Sequence, residues 1–195
     1  MRLCACVCLF LLLFYHSFQE TPLTIASKLL HEPKEMIGTL VEGGAHLDFR
    51  NAQGLSALHK AALADNYEAL KVFLDMGLSP NVRDDHKLTP LYHAITHNQS
   101  SLCVERLLFD RSIVGITDGD GLTELHQACR FGRSQYLDLL LQYGADINGQ
   151  TSKHGNTPLH ICAFLGKEEC ARLLLFRGAQ TVSYTHLTLP TIYSV

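Results

Sequence analysis

The sequence contains no tryptophan and only 8% aromatic residues, so it lacks the aromatic platforms on which single-stranded nucleic acids stack. It also lacks an excess of positive charge, since its 16 lysines and arginines are scattered and its formal net charge is −3. Proteins that bind phosphate backbones do so with clustered basic residues. We therefore expect no nucleic-acid partner.

No apolar run is long enough to span a membrane. The run from Leu3 to Phe14 would extend about 18 Å as a helix, whereas a bilayer core is about 30 Å thick. We therefore expect no membrane insertion. The run is similar to the core of a secretory signal peptide, but no small-residue cleavage site stands before Glu20. Two interpretations of residues 1–19 stay open, a true signal peptide and a gene-model or cloning artefact.

Catalytic motifs are missing as well. No glycine-rich phosphate loop follows a predicted strand, and no serine or cysteine lies in a nucleophile elbow. We predict a protein that is not an enzyme, with no cofactor and no small-molecule substrate.

The seven cysteines do not show the paired spacings of a zinc site or of a disulfide framework. The CxCxC string at Cys4–Cys8 could bind a soft metal, but it lies in the hydrophobic leader and we expect none there. The other four lie in apolar helical patterns, where free cysteine behaves as a small buried hydrophobe. We expect these to be reduced core thiols, as in a cytosolic protein: Cys103, Cys129, Cys162 and Cys170.

What the sequence does contain is an internal repeat. The strings TPLTIA, SALHKA, TPLYHA, TELHQA and TPLHIC begin at Thr21, Ser56, Thr89, Thr123 and Thr157, at intervals of 35, 33, 34 and 34 residues. In each copy Thr or Ser suits a helix N-cap, and proline, where present, suits the first helical position. A second apolar stripe with i, i+3, i+4 spacing follows in every copy and predicts a second helix.

Glycine ends four of the second helices, at Gly44, Gly77, Gly144 and Gly178, as expected for left-handed C-caps. The third copy has Asp110 and Arg111 there instead, so we expect that turn to be the most irregular. The polar connections between copies predict projecting fingers, and the last finger is one residue longer, near Ser152.

The period and the Thr-Pro-Leu-His-x-Ala signature resemble those of ankyrin repeats. The resemblance implies an all-α solenoid of about five helix–turn–helix repeats with short β-hairpin fingers. We place the ankyrin-repeat domain at residues 20–180. Its repeats lie near 20–52, 53–85, 86–119, 120–153 and 154–180. Residues 181–195 show no repeat pattern, and we expect them to form a non-native, disordered tail. We also expect the chain to be a fragment of a longer protein, in which the fifth repeat exposes apolar surface.

Several strings are more specific, notably GITD at Gly115–Asp118, HQACRFG at His126–Gly132 and ECARLLLFRGA at Glu169–Ala179. Together they resemble the ankyrin region of the Shank family of SH3 and multiple ankyrin repeat scaffolds. The resemblance implies a cytoplasmic protein-binding module at the postsynaptic density. It also implies spectrin-type cytoskeletal proteins, other adaptors or the family's own ubiquitin-like domain as partners. If residues 1–19 are a true signal peptide, the alternative is another ankyrin-repeat protein in the secretory pathway.

Aligning the repeats predicts which residues face a partner. Fingers and first-helix ends line the concave face, and Arg130 is hard to place in a core because a buried unpaired guanidinium is costly. We expect a partner across repeats two to four, with Arg83 and Arg130 as charged contacts and Phe131 or Phe164 as apolar anchor. For Phe131, Phe164 and Leu165, packing between repeats is the open alternative. The full predicted set is Arg50, Gln53, Arg83, Asp85, His86, His97, Asp120, Arg130, Phe131 and Phe164.

The eleven histidines do not predict a metal site. His59, His126 and His160 occupy the motif position, where the ring forms hydrogen bonds within and between repeats. His93 and His97 have the four-residue spacing of a zinc-binding pair, but no acidic residue accompanies them in an HExxH arrangement. We expect both to face a partner, and we expect no metal.

Overall fold

The structure, a computed structural model, describes residues 20–28, 33–97 and 100–181. Within these ranges the chain forms ten α-helices, in five consecutive pairs, and each predicted repeat holds one pair. The predictions for residues 1–19 and for 182–195 of the tail lie outside the described residues. The helices are α1 (Pro22–Ala26), α2 (Pro33–Glu42), α3 (Ala57–Leu63), α4 (Tyr67–Asp75), α5 (Pro90–His97), α6 (Leu102–Phe109), α7 (Glu124–Phe131), α8 (Ser134–Gln142), α9 (Pro158–Phe164) and α10 (Glu168–Phe176).

The first helix of most repeats begins with a reciprocal cap. At α3 the backbone N–H of His59 donates to Ser56 Oγ at 3.4 Å, and the Ser56 N–H donates to His59 Nδ1 at 3.2 Å. Thr157 and His160 repeat this arrangement at α9. Two otherwise unpaired backbone donors are thus satisfied at the start of a short helix. The motif therefore fixes where each of these helices begins.

First helices of neighbouring repeats contact one another along the whole array, α1 with α3, α3 with α5, α5 with α7 and α7 with α9. Small residues at these contacts allow the close approach, and Ala61, Ala94, Ala128 and Cys162 are all buried. Together with the second helices they form one continuous hydrophobic core. The structure is the all-α stack that the repeat predicts. The helix pairs stack because no single pair could bury its apolar face alone.

Left-handed residues end the second helices as predicted, with φ of 88° to 92° at Gly44, Gly77, Gly144 and Gly178. Arg111 adopts the same region, with φ of 63°. Its N–H donates to Leu108 O at 3.1 Å, and the following N–H, of Ser112, donates to Leu107 O at 3.0 Å. The predicted irregularity is wrong for the hydrogen bonds, which match those of the glycine turns. The difference from the glycine turns is the conformational free energy of Arg111, because a left-handed backbone is unfavourable for a residue with a Cβ atom.

The fingers are tight turns rather than extended hairpins. In the described residues the strand-like pairing consists of two single antiparallel bridges, Arg50 with Ser56 and Thr117 with Thr123. In the third finger the Asp118 N–H donates to Leu122 O, four residues on, whereas in the fourth the Thr151 N–H donates to Asn156 O, five residues on. The extra residue predicted for the last finger is confirmed.

The four helical cysteines are free thiols and all are buried, which confirms their predicted place in the core. Cys103 and Cys129 are fully enclosed, and Cys162 and Cys170 are 1% exposed. Burial raises the pKa of the Cys103 thiol to about 12. These cysteines therefore act as packing residues, not as nucleophiles.

Candidate protein-binding surface

All ten residues predicted to face a partner lie exposed on the molecule. Six of them belong to the fingers and four to the ends of the first helices. Each predicted residue is therefore accessible to a partner. In chain order they are Arg50, Gln53, Arg83, Asp85, His86, His97, Asp120, Arg130, Phe131 and Phe164.

Adjacent fingers pack closely in two places. A Cβ added to Gly54 would lie 2.2 Å from Asp85 Oδ1, and one added to Gly121 would lie 2.5 Å from the Ser152 nitrogen. Both glycines also have positive φ, of 70° and 80°. Glycine is required at each site for two reasons, backbone conformation and space. The fingers therefore form a preorganised surface.

Two predicted contact residues already bridge neighbouring fingers. Arg50 Nη1 donates to the carbonyl oxygen of Arg83 at 2.6 Å, and Lys153 forms an ion pair with Asp120. Both pairs remain exposed, so their free energies are small. Sequence alignment of the repeats could not predict these contacts, because each joins residues about one repeat apart through side-chain conformation.

Arg130 and Phe131 form a surface pair at the end of α7. The guanidinium carbon of Arg130 lies 5.9 Å from the Phe131 ring centre, and Phe131 is 44% exposed. Arg133, which the sequence analysis did not select, lies 5.4 Å from the same ring and donates to Ile95 O at 2.7 Å. Arg133 therefore fixes one side of Phe131, while Arg130 stays free of hydrogen bonds and ion pairs to described residues.

The end of α9 continues this apolar surface. Phe164 is 90% exposed and Leu165 is 42% exposed. Packing between repeats is therefore the wrong interpretation for Phe164, whereas Phe131 and Leu165 each keep more than half of their area covered. Large exposed apolar groups close to an arginine are typical of interaction sites.

The motif histidines have the structural role predicted for them. His59 Nδ1 accepts from the Ser56 N–H, so its Nε2 carries the proton and donates to Leu88 O at 3.2 Å. His126 Nε2 donates to Asn156 O at 3.0 Å in the same way. Burial lowers the pKa of His59 to about 4, so this ring is neutral at pH 7. His160, on the last repeat, is exposed, consistent with the predicted open face there.

Tyr92 replaces histidine in the third motif and joins repeats three and four by a different network. Its hydroxyl donates to Asp118 Oδ2 at 2.7 Å and accepts from Gln127 Nε2 at 2.8 Å. Burial raises the pKa of Tyr92, so the phenol keeps its proton. The network fixes the third finger against α5 and α7.

The expectation that His93 faces a partner is wrong. Its side chain is only 13% exposed, and its Nε2 lies 2.7 Å from Asp84 Oδ2. The ligand atoms of His59, Asp84 and His93 all lie within 4.8 Å of one another, the spacing of a possible metal site. However, both ring nitrogens of His59 are used in hydrogen bonds, one as acceptor and one as donor. No lone pair of His59 is left for an ion in this arrangement.

Among the described residues, none of the helices combines the length and the apolar character needed to cross a membrane.

The sequence is similar to those of several known repeat proteins. Sequence models of "Ankyrin repeats (3 copies)" match residues 4–84, 23–114 and 91–185. The chain is 50% identical over 102 residues to human SH3 and multiple ankyrin repeat domains protein 2, which covers 52% of the chain and 6% of that protein. Human SH3 and multiple ankyrin repeat domains protein 1 is 51% identical over 102 residues, or 52% of the chain and 5% of that protein. The E3 ubiquitin-protein ligase KEG of Arabidopsis thaliana is 38% identical over 91 residues, or 46% of the chain and 6% of the ligase. The chain thus spans a small part of each of these relatives.

Proposed function

Because the chain belongs to the ankyrin-repeat family, we propose that it is a non-enzymatic protein-binding module, the ankyrin region of a Shank-like scaffold. The half of the chain that is about 50% identical to the two SH3 and multiple ankyrin repeat proteins supports this proposal. The partner is a protein or a sister domain of the same scaffold. It docks on the concave surface across repeats two to four, and Phe164 adds apolar area from the adjoining fifth repeat.

The observation that carries the proposal is the exposed pair of Arg130 and Phe131 at the end of α7, with exposed Phe164 at the end of the neighbouring helix α9. An aromatic ring with an unpaired guanidinium on its face offers both apolar area and charge-assisted hydrogen bonds. Tryptophan, tyrosine and arginine dominate the energetics of interfaces, and exposed phenylalanine supplies similar area. In this site Phe131 or Phe164 is the anchor, and Arg130 selects an acidic group on the partner.

The second contact is the finger surface. Arg83 makes no side-chain hydrogen bond or ion pair to any described residue, so its charge is available to a partner. The close packing of Gly54 on Asp85 holds the fingers in place before binding. A preorganised surface loses little conformational freedom on association, which favours affinity.

The resemblance to Shank scaffolds suggests the partner class and the compartment. Spectrin-type cytoskeletal proteins and a ubiquitin-like domain are the candidates, and the cytoplasmic side of the postsynaptic density is the location. Both classes can present acidic residues beside apolar ones on a helical or sheet surface. The proposal for repeats two to four requires such a surface.

Charge reversal tests the proposal. The intact chain is titrated with spectrin repeats and, separately, with a ubiquitin-like domain, and association rates are measured at several salt concentrations. Arg130→Glu and Arg83→Glu should each slow association and reduce its salt dependence, because opposite charges steer encounter. Arg172→Glu is the control, since Arg172 is exposed on α10 and pairs with Glu168. Equal effects of all three substitutions would show general electrostatics and overturn the assignment.

A further inference from the structure

The outer face of the second helices carries an apolar ridge that the proposed concave surface does not include. Leu102 and Phe109 of α6 are 53% and 71% exposed. They lie seven residues apart, so they share one face of the helix and are about 10 Å apart along its axis. We call this pair the α6 ridge. The residues that α6 buries lie on its opposite face, and they are Cys103, Val104, Leu107 and Leu108.

The repeat fold does not require apolar residues at these two positions. When the second helices are aligned on their buried residues, the other repeats place mostly acidic or amide side chains there, and all of these are exposed. Two exposed apolar residues in α6 therefore add nothing that the stack needs. The residues equivalent to Leu102 are Glu35, Glu68, Gln135 and Glu169, and those equivalent to Phe109 are Glu42, Asp75, Gln142 and Phe176.

The ends of the neighbouring second helices add exposed apolar area. Met76, the C-cap of α4, is 37% exposed, and Tyr143, the C-cap of α8, is 47% exposed. Helix α4 contacts α6 directly. Exposed apolar area of this kind, rimmed by polar residues, is typical of a surface that binds another protein.

Negative charge surrounds the α6 ridge. The guanidinium carbon of Arg106 lies 6.0 Å from the Phe109 ring centre. This arginine is shared by two carboxylates, that of Asp75 at 2.8 Å and that of Asp110 at 2.7 Å. Glu105 is exposed and makes no hydrogen bond or ion pair to any described residue. The acidic groups next to the ridge are therefore only partly neutralised.

The same sign of charge prevails along the whole outer face. The five second helices hold eight acidic and four basic residues. The five first helices hold one acidic and two basic residues. The outer face therefore repels nucleic acids, anionic membranes and a second copy of itself, and it attracts a basic partner.

We propose that the α6 ridge docks a basic amphipathic helix of another protein. Apolar residues spaced by three, four and seven positions on such a helix would cover Leu102 and Phe109, as in other complexes where a helix binds through its apolar face. Its lysines or arginines would pair with Glu105 and Asp75, which are both exposed. The site lies apart from the concave surface, so one module could hold two partners at once.

The probe for this proposal is a fluorescently labelled synthetic peptide with leucine along one helical face and lysine elsewhere. A length of about 18 residues allows it to form a helix on binding. Its affinity for the full chain is measured by fluorescence anisotropy. A second peptide has glutamate in place of every lysine and keeps the same apolar face. It should bind at least about tenfold more weakly, because the outer face is acidic.

Two phenylalanine variants test the position of the site. Phe109→Gln introduces the side chain that repeat four has there and should weaken binding of the lysine peptide at least about tenfold. Phe176→Gln is the matched control, because Phe176 holds the equivalent position in α10 and is 88% exposed. It should leave the affinity unchanged. Both side chains are exposed, so neither variant should unfold the stack, and circular dichroism melting checks that.

Several results would overturn the proposal. They are no binding of the lysine peptide, equal affinity for the two peptides, and equal losses for the two phenylalanine variants. Loss of binding in Phe164→Gln with retention in Phe109→Gln would place the peptide on the concave surface and equally contradict it. Sedimentation velocity should show the natural chain as a monomer. A dimer that Phe109→Gln dissociates would show that a second copy covers the ridge instead.

Discussion

Glu124 makes the stability of this repeat stack depend on pH in an unusual direction. It takes the place of proline at the start of α7 and is fully buried. Its carboxylate accepts from the N–H groups of Gly115 and Ile116 at 2.9 and 3.1 Å. Burial nevertheless raises the pKa of Glu124 from 4.5 to about 7. Desolvation of the charged form therefore outweighs the two hydrogen bonds.

The sign and size of the effect follow from linkage. The folded state binds the proton more tightly than the unfolded state, so the stabilising contribution is complete below pH 4.5 and is lost as pH rises through 7. A shift of this size, at about 1.4 kcal/mol for each pKa unit, corresponds to about 3 kcal/mol. Glu124→Gln removes the titration while keeping the shape of the side chain.

Urea denaturation of the two proteins between pH 4 and pH 8 measures this effect. The unfolding free energy of Glu124→Gln minus that of the natural chain should rise by about 3 kcal/mol between pH 4.5 and pH 8. Buried histidines such as His59 act in the opposite sense, since their stabilisation is lost as pH falls, but they are present in both proteins and cancel. A difference that stays constant with pH would refute the reasoning, because it would mean that Glu124 ionises as freely folded as unfolded.

Two further predictions concern left-handed residues. Arg111→Gly should raise the unfolding free energy by about 0.5–1 kcal/mol, because the relief of left-handed strain exceeds the extra conformational entropy of glycine in the unfolded chain. Urea denaturation measures this change, and a fall in stability would contradict the prediction. Gly121→Ala should lower the unfolding free energy by about 2 kcal/mol or more, because the new methyl group would lie 2.5 Å from Ser152 at positive φ. Gly144→Ala, with φ of 88° and no atom near the added Cβ, is the matched control and should cost less; equal losses would show that finger packing adds nothing.

Most of the fold is predictable from sequence because the same helix–turn–helix motif occurs five times along the chain. The caps, the small contact residues and the C-terminal glycines are local signals that recur at one spacing. The buried thiols follow from the same helical pattern. Even the longer fourth finger is visible as a single extra residue.

The parts of the site that the sequence does not predict are contacts between repeats. The bond from His93 to Asp84 joins a helix to its own finger, and that of Arg133 to Ile95 O joins adjacent repeats. Neither has a spacing rule. Glutamate in place of proline at the first position of α7 departs from the motif, and this departure is visible in the sequence. The raised pKa of Glu124 depends on its burial, which only the structure shows.

The claim that the ends of the first helices bind a protein partner is tested most directly by Arg130→Ala. Its affinity for a spectrin repeat or a ubiquitin-like domain is measured by calorimetry beside that of the natural chain, and both proteins are melted. We expect affinity to fall about tenfold or more, as at an interface hot spot. The melting temperature should hardly change, because Arg130 is exposed and its contact with a described side chain is the Phe131 ring. Unchanged affinity for the partner that binds the natural chain would contradict this claim and show that Arg130 does not contribute to binding. A variant that unfolds would also contradict it and show that Arg130 is a structural residue.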